Sequence, residues 1–118
     1  MDRFEDHRGL IEDLLMGPFD AVTRIFTAKG AVRGNHVHEK THQWTYVLSG
    51  RLLTVHLDPG TGERITREYG PGEIASEPPG IPHAWRAVDD CTVLVFTKGP
   101  RSGENYESDT RRLERPLL

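Results

Sequence analysis

The sequence has little cysteine, no long apolar run and no excess of positive charge, and each shortage removes a class of protein. Its single cysteine, Cys91, cannot form an internal disulfide, which favours the reducing cytoplasm. No stretch approaches the roughly 20 apolar residues of a membrane-spanning helix, and the first residues lack the apolar core of a secretory signal. A formal net charge of −3 provides no basic stripe for nucleic acid. We therefore expect neither a membrane nor a nucleic acid as partner.

The size and composition are those of one globular domain spanning residues 1–118. Hydrophobic residues make up 36% of the chain and charged residues 28%, which is the balance of a folded domain. A chain of 118 residues buries a modest core, because small domains leave a large share of their surface in water. We therefore expect a homodimer, in which a second copy adds buried surface.

Helical periodicity is scarce, whereas strand patterns recur along the chain. Segments rich in β-branched or aromatic residues cover 19–27, 31–38, 42–48, 51–57, 64–69 and 92–98, with Gly- and Pro-rich turns between them. This pattern predicts an all-β barrel or sandwich. The opening segment 9–15 is predicted as a further strand. The tail 101–118 is predicted either to form one short helix over 106–113 or to wrap the barrel.

The dipeptide Ser49-Gly50 separates two of these segments and predicts a tight β-hairpin. In the register of a two-residue loop, Gln43 and Thr45 share one face with His56. That face is mixed in polarity and suits the lining of a cavity. The opposite face is apolar and must be covered by another layer of the barrel, by the N-terminal segment or by a second subunit.

The chain contains histidines whose spacing indicates a shared site. His36 and His38 alternate on a predicted strand, so both side chains leave the same face. His83 follows the stiff, turn-rich segment 77–82 in a separate part of the chain. Two imidazoles on one face and a third from another strand can converge inside a small β-barrel. Such a cluster is typical of a metal site or of an acid/base site.

Two longer motifs contain these histidines and resemble the two motifs of the cupin superfamily. The first runs through Gly30, His36, His38, Gln43 and Gly50, and the second through Gly72, Pro78, Gly80 and His83. Gln43 stands where the family usually has Glu, and Ala87 stands where the second motif usually ends in Asn. The resemblance implies a double-stranded β-helix, or jelly-roll, barrel with motif 1 at 30–50, motif 2 at 72–87 and a C-terminal tail at 101–118.

The cupin resemblance implies, in one interpretation, a metal centre. His36, His38 and His83 would be imidazole ligands, with the Gln43 amide as a weak fourth ligand. His42 is a less favoured substitute, because on a regular strand it points away from Gln43. Such a donor set suits zinc, iron(II), nickel or manganese as a divalent cofactor. The activity would then be that of a metal-dependent oxygenase, decarboxylase or cyclase of secondary metabolism.

A narrower likeness implies a different chemistry. The stretch 33–43 and the tail at 106–109 resemble the equivalent parts of nucleotide-sugar 3,4-ketoisomerases. The segment Arg33-Gly34-Asn35-His36 is similar to one in dTDP-sugar 3,5-epimerases, in which the matching histidine is the base. Both groups work without a metal, so this second interpretation implies no cofactor.

The second interpretation gives the preferred activity, which is isomerisation or epimerisation of a keto sugar or a similar carbonyl metabolite. His36 and His38 would share the acid and base roles, because the pKa of imidazole lies near neutral pH. Arg33 would bind a diphosphate or a developing oxyanion. The pocket for this small-molecule substrate, such as a nucleotide sugar, would be lined by Thr45, His56 and Trp85. A cupin that binds a ligand without catalysis is the third alternative, since one scaffold hosts many functions.

Overall fold

The computed structural model describes residues 3–100 and 108–118, and the regular elements within these ranges are β-strands apart from the two helical residues 108 and 109. In chain order they are β1 (Arg3–Asp6), β2 (Gly9–Glu12), β3 (Ala21–Thr27), β4 (Val32–His38), β5 (His42–Ser49), β6 (Leu52–Leu57), β7 (Arg64–Tyr69), β8 (Ile74–Glu77), β9 (His83–Ala87), β10 (Cys91–Lys98) and β11 (Thr110–Arg112). The prediction of an all-β chain is confirmed. Among the described residues, no helix has the length and apolar character needed to cross a membrane.

Two antiparallel sheets form the body of the fold and face each other across a common interior. The four-stranded sheet has the order β3-β10-β5-β8, and the five-stranded sheet has the order β11-β4-β9-β6-β7. Val47 of β5 and Leu52 of β6 belong to one hydrophobic cluster, so side chains of both sheets meet in one core. A separate two-stranded sheet, β1-β2, precedes them. Two facing antiparallel sheets are the architecture of the predicted barrel.

The predicted hairpin at Ser49-Gly50 is wrong. β5 pairs with β8 and β10, whereas β6 pairs with β7 and β9, so the chain crosses from one sheet to the other at this turn. Gly50 has a φ of 83°, and a Cβ at this position would collide with the carbonyl oxygen of Asp90 and lie 2.8 Å from Cα of Cys91. Glycine is needed there because the corner between the sheets passes directly over the start of β10.

The interior changes from apolar to polar along the strands. One end holds the core cluster, which comprises Val47, Leu52, Tyr69, Ala75, Trp85, Ala87, Cys91, Val93 and Val95. Towards the other end Thr45 is buried, and His56 lies opposite His83 in the ladder between β6 and β9. Gln43, Thr45 and His56 all face the interior, as their alternation predicts, even though their strands do not pair.

The C-terminal segment wraps the five-stranded sheet. β11 pairs with β4, and Leu117 packs in a second hydrophobic cluster with Val55 and Ala84, which covers the outer side of that sheet. Of the two predictions for the tail, wrapping is what residues 110–118 do. The alternative helix over 106–113 is confirmed at residues 108 and 109, which are helical, and is wrong at Thr110–Arg112, whereas residues 106–107 lie outside the described residues.

Candidate functional site

A bulge in β4 brings Arg33 and His36 to the same interior. These residues are three positions apart, so a regular strand would place them on opposite faces. They lie opposite two residues of β9 that are two positions apart, and the register shifts between Gly34 and His36. Asn35 supplies the extra residue with a φ of 58°, a left-handed conformation that asparagine tolerates. The bulge therefore places a guanidinium and an imidazole in one cavity.

Three histidine rings converge at the polar end of the interior. One ring nitrogen each of His36, His38 and His83 lies within 4.8 Å of the other two. The ring centroid of His36 is 4.5 Å from that of His38 and 4.7 Å from that of His83. His38 and His83 are 1% and 2% exposed, whereas His36 is half-buried and lines an open cavity. Residues from two separate motifs thus meet at one point.

The two ring nitrogens of His83 have distinct roles. Nδ1 lies 3.2 Å from the carbonyl oxygen of Ile81, which only accepts, so Nδ1 carries the hydrogen and Nε2 carries the lone pair. That Nε2 is 3.1 Å from Nε2 of His36. Burial lowers the pKa of His83, and burial together with His83 and His38 lowers the pKa of His36 to about 3. His36 is therefore neutral at physiological pH.

A carboxylate that the sequence analysis missed lies beside this cluster. Glu77 is 2% exposed, its Oε2 is 3.3 Å from Nε2 of His83, and its Oε1 accepts a 3.2 Å hydrogen bond from Oγ1 of Thr45. Burial raises the pKa of Glu77 to about 7, against the opposing effects of His56 and of the Thr45 hydrogen bond. A Glu directly before two prolines is typical of a turn. The placement of Glu77 at the site follows from its position opposite Gln43. That position is known only once β5 is seen to pair with β8.

A second missed carboxylate is Asp109 in the C-terminal segment. It accepts hydrogen bonds from the backbone N–H of Lys40 and Thr41, at 2.6 and 3.2 Å, and from Oγ1 of Thr41 at 2.6 Å. Its Oδ2 is 3.8 Å from Nδ1 of His38, and Oγ1 of Thr110 is 3.1 Å from the same nitrogen. Burial raises the pKa of Asp109, but these hydrogen bonds and His38 outweigh burial and lower it. An ionised Asp109 favours hydrogen on Nδ1 of His38, which leaves the lone pair on Nε2.

A cavity of about 910 Å³ opens over His36. Arg33 and Arg112 contribute cationic groups to its lining. Arg33 donates from Nε to Oγ1 of Thr27 at 2.9 Å and from Nη2 to the carbonyl oxygen of Phe26 at 3.1 Å. These two bonds fix the position of the guanidinium, which carries further donors on Nη1. The cavity is thus suited to an anionic ligand.

The remaining candidate residues divide between the interior and the outer surface. The cavity is also lined by Gln43, Thr45 and Trp85. Nε2 of His56 is buried without a hydrogen-bond partner among the described residues, and its ring centroid is 6.4 Å from that of His83. His42 lies on the outer face, where its ring stacks on Trp44 at 3.8 Å and its Nε2 is 2.9 Å from Oγ of Ser76. The structure therefore does not bring His42 to the cluster.

The donor set at the cluster fits a divalent cation. Three imidazole nitrogens are close enough together to share one ion, and two of the rings are almost completely buried. Neutral imidazole nitrogens are good ligands for zinc, iron(II), nickel and manganese. A cation held there by His36, His38 and His83 would polarise a substrate oxygen as a Lewis acid.

Several solved structures share this fold. A dTDP-4-dehydrorhamnose 3,5-epimerase from Sulfolobus tokodaii has a TM-score of 0.75 and 22% identity, over 93% of this chain and 72% of that chain. A sugar 3,4-ketoisomerase from Thermoanaerobacterium thermosaccharolyticum, in complex with TDP, has a TM-score of 0.77 and 20% identity, over 96% of this chain and 84% of that chain. The oxalate decarboxylase of Bacillus subtilis has a TM-score of 0.64 and 28% identity, over 78% of this chain and 23% of that chain.

The sequence itself also matches a known family. No curated protein sequence matches the chain. The profile of the cupin domain family, however, matches residues 24–97, which is more than half of the chain and includes all three clustered histidines. The expected jelly-roll barrel is therefore confirmed, and the chain belongs to the cupin family.

Proposed function

We propose that this cupin isomerises or epimerises a keto sugar, or a similar small carbonyl metabolite, at its histidine cluster. The observation that carries the proposal is the pair formed by His36 and His83. His36 is a neutral imidazole that lines an open cavity, and its Nε2 lies 3.1 Å from the Nε2 of His83. Moving a proton between positions of a keto sugar needs a base that takes the C–H proton and an acid that returns it. Structural likeness to a sugar epimerase and a sugar ketoisomerase supports this choice.

The proton route follows the contacts of the cluster. His36 takes the proton from the carbon next to the carbonyl, and the electron pair of the C–H bond moves towards the carbonyl oxygen to form an enediolate. With a pKa of about 3, His36 alone is a weak base. Its Nε2 hydrogen therefore moves to Nε2 of His83 as the new proton arrives, and the neighbouring Glu77 carboxyl stabilises the charge. The proton returns from His83 through His36 to the adjacent carbon of the enediolate, as the hydroxyl proton of one enediolate oxygen passes to the other oxygen.

The two arginines of the cavity define the proposed substrate class. Guanidinium groups bind phosphate oxygens through paired hydrogen bonds, and both Arg33 and Arg112 line the cavity that leads to His36. A nucleotide sugar would place its diphosphate against these arginines and its sugar ring over the cluster. The sugar end would then contact Thr45, His56 and Trp85. The TDP bound in the similar ketoisomerase structure supports a ligand of this kind.

Solvent exchange provides the test. In D₂O, the protein should introduce deuterium next to the carbonyl of a TDP-linked 4-keto-6-deoxy sugar, observed by proton NMR. The His36→Asn variant should lower this rate by about 100-fold or more, because it removes the base. The His42→Asn variant carries the same substitution on the outer face and should retain the rate. Equal losses in the two variants, or no deuterium uptake by the unaltered protein from a panel of nucleotide-linked keto sugars, would overturn the proposal.

A metal-dependent reaction is the second candidate, and a specific observation favours it. The ligand atoms of the three histidines lie within 4.8 Å of one another, which suits zinc, iron(II), nickel or manganese. The reaction would then belong to an oxygenase, a decarboxylase or a cyclase. Elemental analysis of protein purified without added metal separates the two candidates: a stoichiometric metal that disappears in His83→Ala favours the second. A protein stabilised by nucleotide sugars without turnover would instead be a binding cupin.

We further propose that the protein is a homodimer. Large hydrophobic side chains are exposed on the β1-β2 hairpin and on the outer face of the four-stranded sheet, including Phe4, Ile11, Val22 and Phe26. A two-stranded hairpin is only marginally stable in water by itself. A second copy would cover such surface. Light scattering should give twice the chain mass of 13.3 kDa, and the mass of a single chain at micromolar concentration would contradict the proposal.

The proposed location is the cytoplasm. Cys91 is the single cysteine of the chain, and it is buried as a free thiol inside the core. A free thiol of this kind suits a reducing compartment. Fractionation of cells that produce the protein from its own gene is the direct measurement.

A further inference from the structure

We propose that the C-terminal segment beyond Asp109, residues 110–118, is a ligand-coupled wall of the cavity, in which Arg112 binds the anionic part of the ligand and thereby holds the segment against the barrel. The match to the cupin domain family covers residues 24–97, so this segment lies outside that match. The inference rests on the proposed nucleotide ligand. It adds that binding of this ligand and docking of the segment stabilise each other.

One face of this segment lines the cavity. Thr110 and Arg112 alternate on β11, so their side chains leave the same face, and both line the cavity together with Leu113 and Pro116. Arg112 is the ladder partner of His36 between β11 and β4. Because ladder partners project from the same face of a sheet, the guanidinium enters the cavity beside the histidine. The segment thus supplies a cationic group of the site.

The attachment of the segment to the barrel is local. β11 is a strand of three residues at the edge of the five-stranded sheet, and among the described strands it pairs with β4 alone. Beyond β11, the backbone N–H of Leu113 donates to the carbonyl oxygen of Asn35, and that of Leu117 donates to its Oδ1. Leu117 packs with Val55 and Ala84. A short edge segment of this kind opens at a lower free energy than a strand in the middle of a sheet.

The cavity side of the segment carries an uncompensated charge. Among the residues that the structure describes, Arg112 forms no ion pair, whereas its neighbour Arg111 on the opposite face lies 3.7 Å from a carboxylate oxygen of Glu39. The other arginine of the cavity, Arg33, is cationic as well, so the two guanidinium groups repel each other. A diphosphate bound to both would replace this repulsion with charge-assisted hydrogen bonds. The docked segment is therefore more stable with the anion than without it.

This coupling is reciprocal. A ligand that makes its full contacts only with the docked segment shifts the segment towards that state, by a factor that grows with the ratio of ligand concentration to Kd. The docked segment in turn binds the ligand more tightly, by the same coupling free energy. Arg33 lies on β4, between two strands of the barrel, and stays in the cavity whether or not the segment is docked. Arg112 is therefore the residue that carries the coupling.

Hydrogen exchange of the unaltered protein tests the coupling. The backbone N–H groups of Leu113, Leu117 and Leu118 donate hydrogen bonds to Asn35. Their exchange in D₂O, followed residue by residue by NMR, therefore reports the opening of the segment. TDP at about 100 times its Kd should slow these exchanges by about tenfold or more, because the bound anion favours the docked segment.

Two neighbouring arginines of β11 provide the variant and its matched control. Arg112→Gln should raise the Kd for TDP, measured by calorimetry, by about tenfold. At equal occupancy by TDP, its exchange rates should stay within about twofold of the ligand-free rates, because the barrel then binds the anion without the segment. Arg111→Gln removes the same charge from the outer face and should keep the slowing and, within about twofold, the Kd of the unaltered protein. Circular dichroism checks that both variants fold.

Three results overturn the inference while the proposed ligand class stands. TDP binds to the unaltered protein and leaves the exchange rates unchanged, Arg112→Gln keeps the slowing, or the two variants lose the slowing equally. The last result would assign the slowing to the net charge of the segment. If TDP does not bind to the unaltered protein, the ligand class and the inference fail together. Slowing by TDP without deuterium uptake from keto sugars would remove the proposed isomerase and leave this inference intact.

Discussion

Asn35 attaches the C-terminal segment to the barrel through Leu117. Its Oδ1 accepts hydrogen bonds from the backbone N–H of Leu117 at 2.7 Å and of Leu118 at 3.2 Å, and its Nδ2 donates to the carbonyl oxygen of Leu118 at 3.2 Å. The same residue forms the bulge that turns His36 into the cavity. One side chain therefore links the shape of the site to the segment that carries Asp109.

Two substitutions of Asn35 should separate the effect of its hydrogen bonds on stability from the effect of its left-handed backbone. Asn35→Gly keeps the left-handed backbone but removes the hydrogen bonds, so we expect the free energy of unfolding to fall by about 1–3 kcal/mol. Asn35→Ala removes the same bonds but keeps a Cβ at a φ of 58°, a strain that glycine relieves, so we expect it to be about 1–2 kcal/mol less stable than Asn35→Gly. Urea denaturation of the two variants measures the difference. Equal stability of the two variants would contradict the assigned backbone strain.

Gly50 should be far less replaceable than a glycine of similar backbone conformation elsewhere. Gly50→Ala adds a Cβ that collides with the carbonyl oxygen of Asp90, and we expect a loss of at least about 3 kcal/mol. Gly72 has a φ of 86°, and a Cβ there meets no atom within 4 Å, so Gly72→Ala should cost about 1–2 kcal/mol from strain alone. Thermal and urea unfolding of both variants provide the measurement. A similar loss in both would show that the sheet-to-sheet corner tolerates a side chain.

The sequence predicted which face of a strand a side chain occupies better than it predicted which strands pair. Alternation places Gln43, Thr45 and His56 on interior faces, and this depends only on the local period of a strand. Pairing depends on contacts that are distant in sequence. The Ser49-Gly50 dipeptide has the composition of a hairpin turn, and nothing local distinguishes it from a corner between two sheets.

The distinction between strand faces and strand pairing also applies to the candidate site. The histidine motifs predicted which rings share a strand face, and the structure brings the three rings together. Glu77 and Asp109 were missed because each reaches the cluster through strand pairing, with β5 and with β4 respectively. Arg33 was predicted at the site from the family resemblance, whereas simple alternation would assign it to the face opposite His36, because a bulge of one residue reverses its face.

Arg33 should contribute to nucleotide binding in a way that a surface arginine does not. Arg33→Ala removes a guanidinium from the lining of the cavity, and we expect the Kd for TDP to rise about 10- to 100-fold, the value of a charged hydrogen bond. Arg24 lies on the exposed outer side of β3, so Arg24→Ala changes the net charge equally and should leave the Kd within about twofold. Calorimetric titration with TDP measures both. An equal rise of the Kd for TDP in the two variants would show that the loss of affinity comes from the change in net charge and not from the position of Arg33.

The stability of the metal-free protein should carry a pH signature of Glu77. Burial raises the pKa of Glu77 from 4.5 to about 7, so between these values the folded state holds a proton that the unfolded state has released. The contribution of this group is therefore fully present below pH 4.5 and is lost as the pH rises through about 7. Glu77→Gln resembles the protonated form at every pH and lacks this dependence.

Urea denaturation in the presence of a chelator, at pH 5 and at pH 8, measures this signature. Between pH 5 and pH 8, the free energy of unfolding of the unaltered protein should fall relative to that of Glu77→Gln. Only the unaltered protein must either ionise a buried carboxyl or keep it protonated, and keeping the proton costs more as the pH rises. Thr45→Val removes a hydrogen bond to Oε1 that lowers the pKa of Glu77, so this variant should keep the pH dependence and lose more stability than the unaltered protein between pH 5 and pH 8. A difference between Glu77→Gln and the unaltered protein that stays constant with pH would show that Glu77 has an ordinary pKa in the folded state.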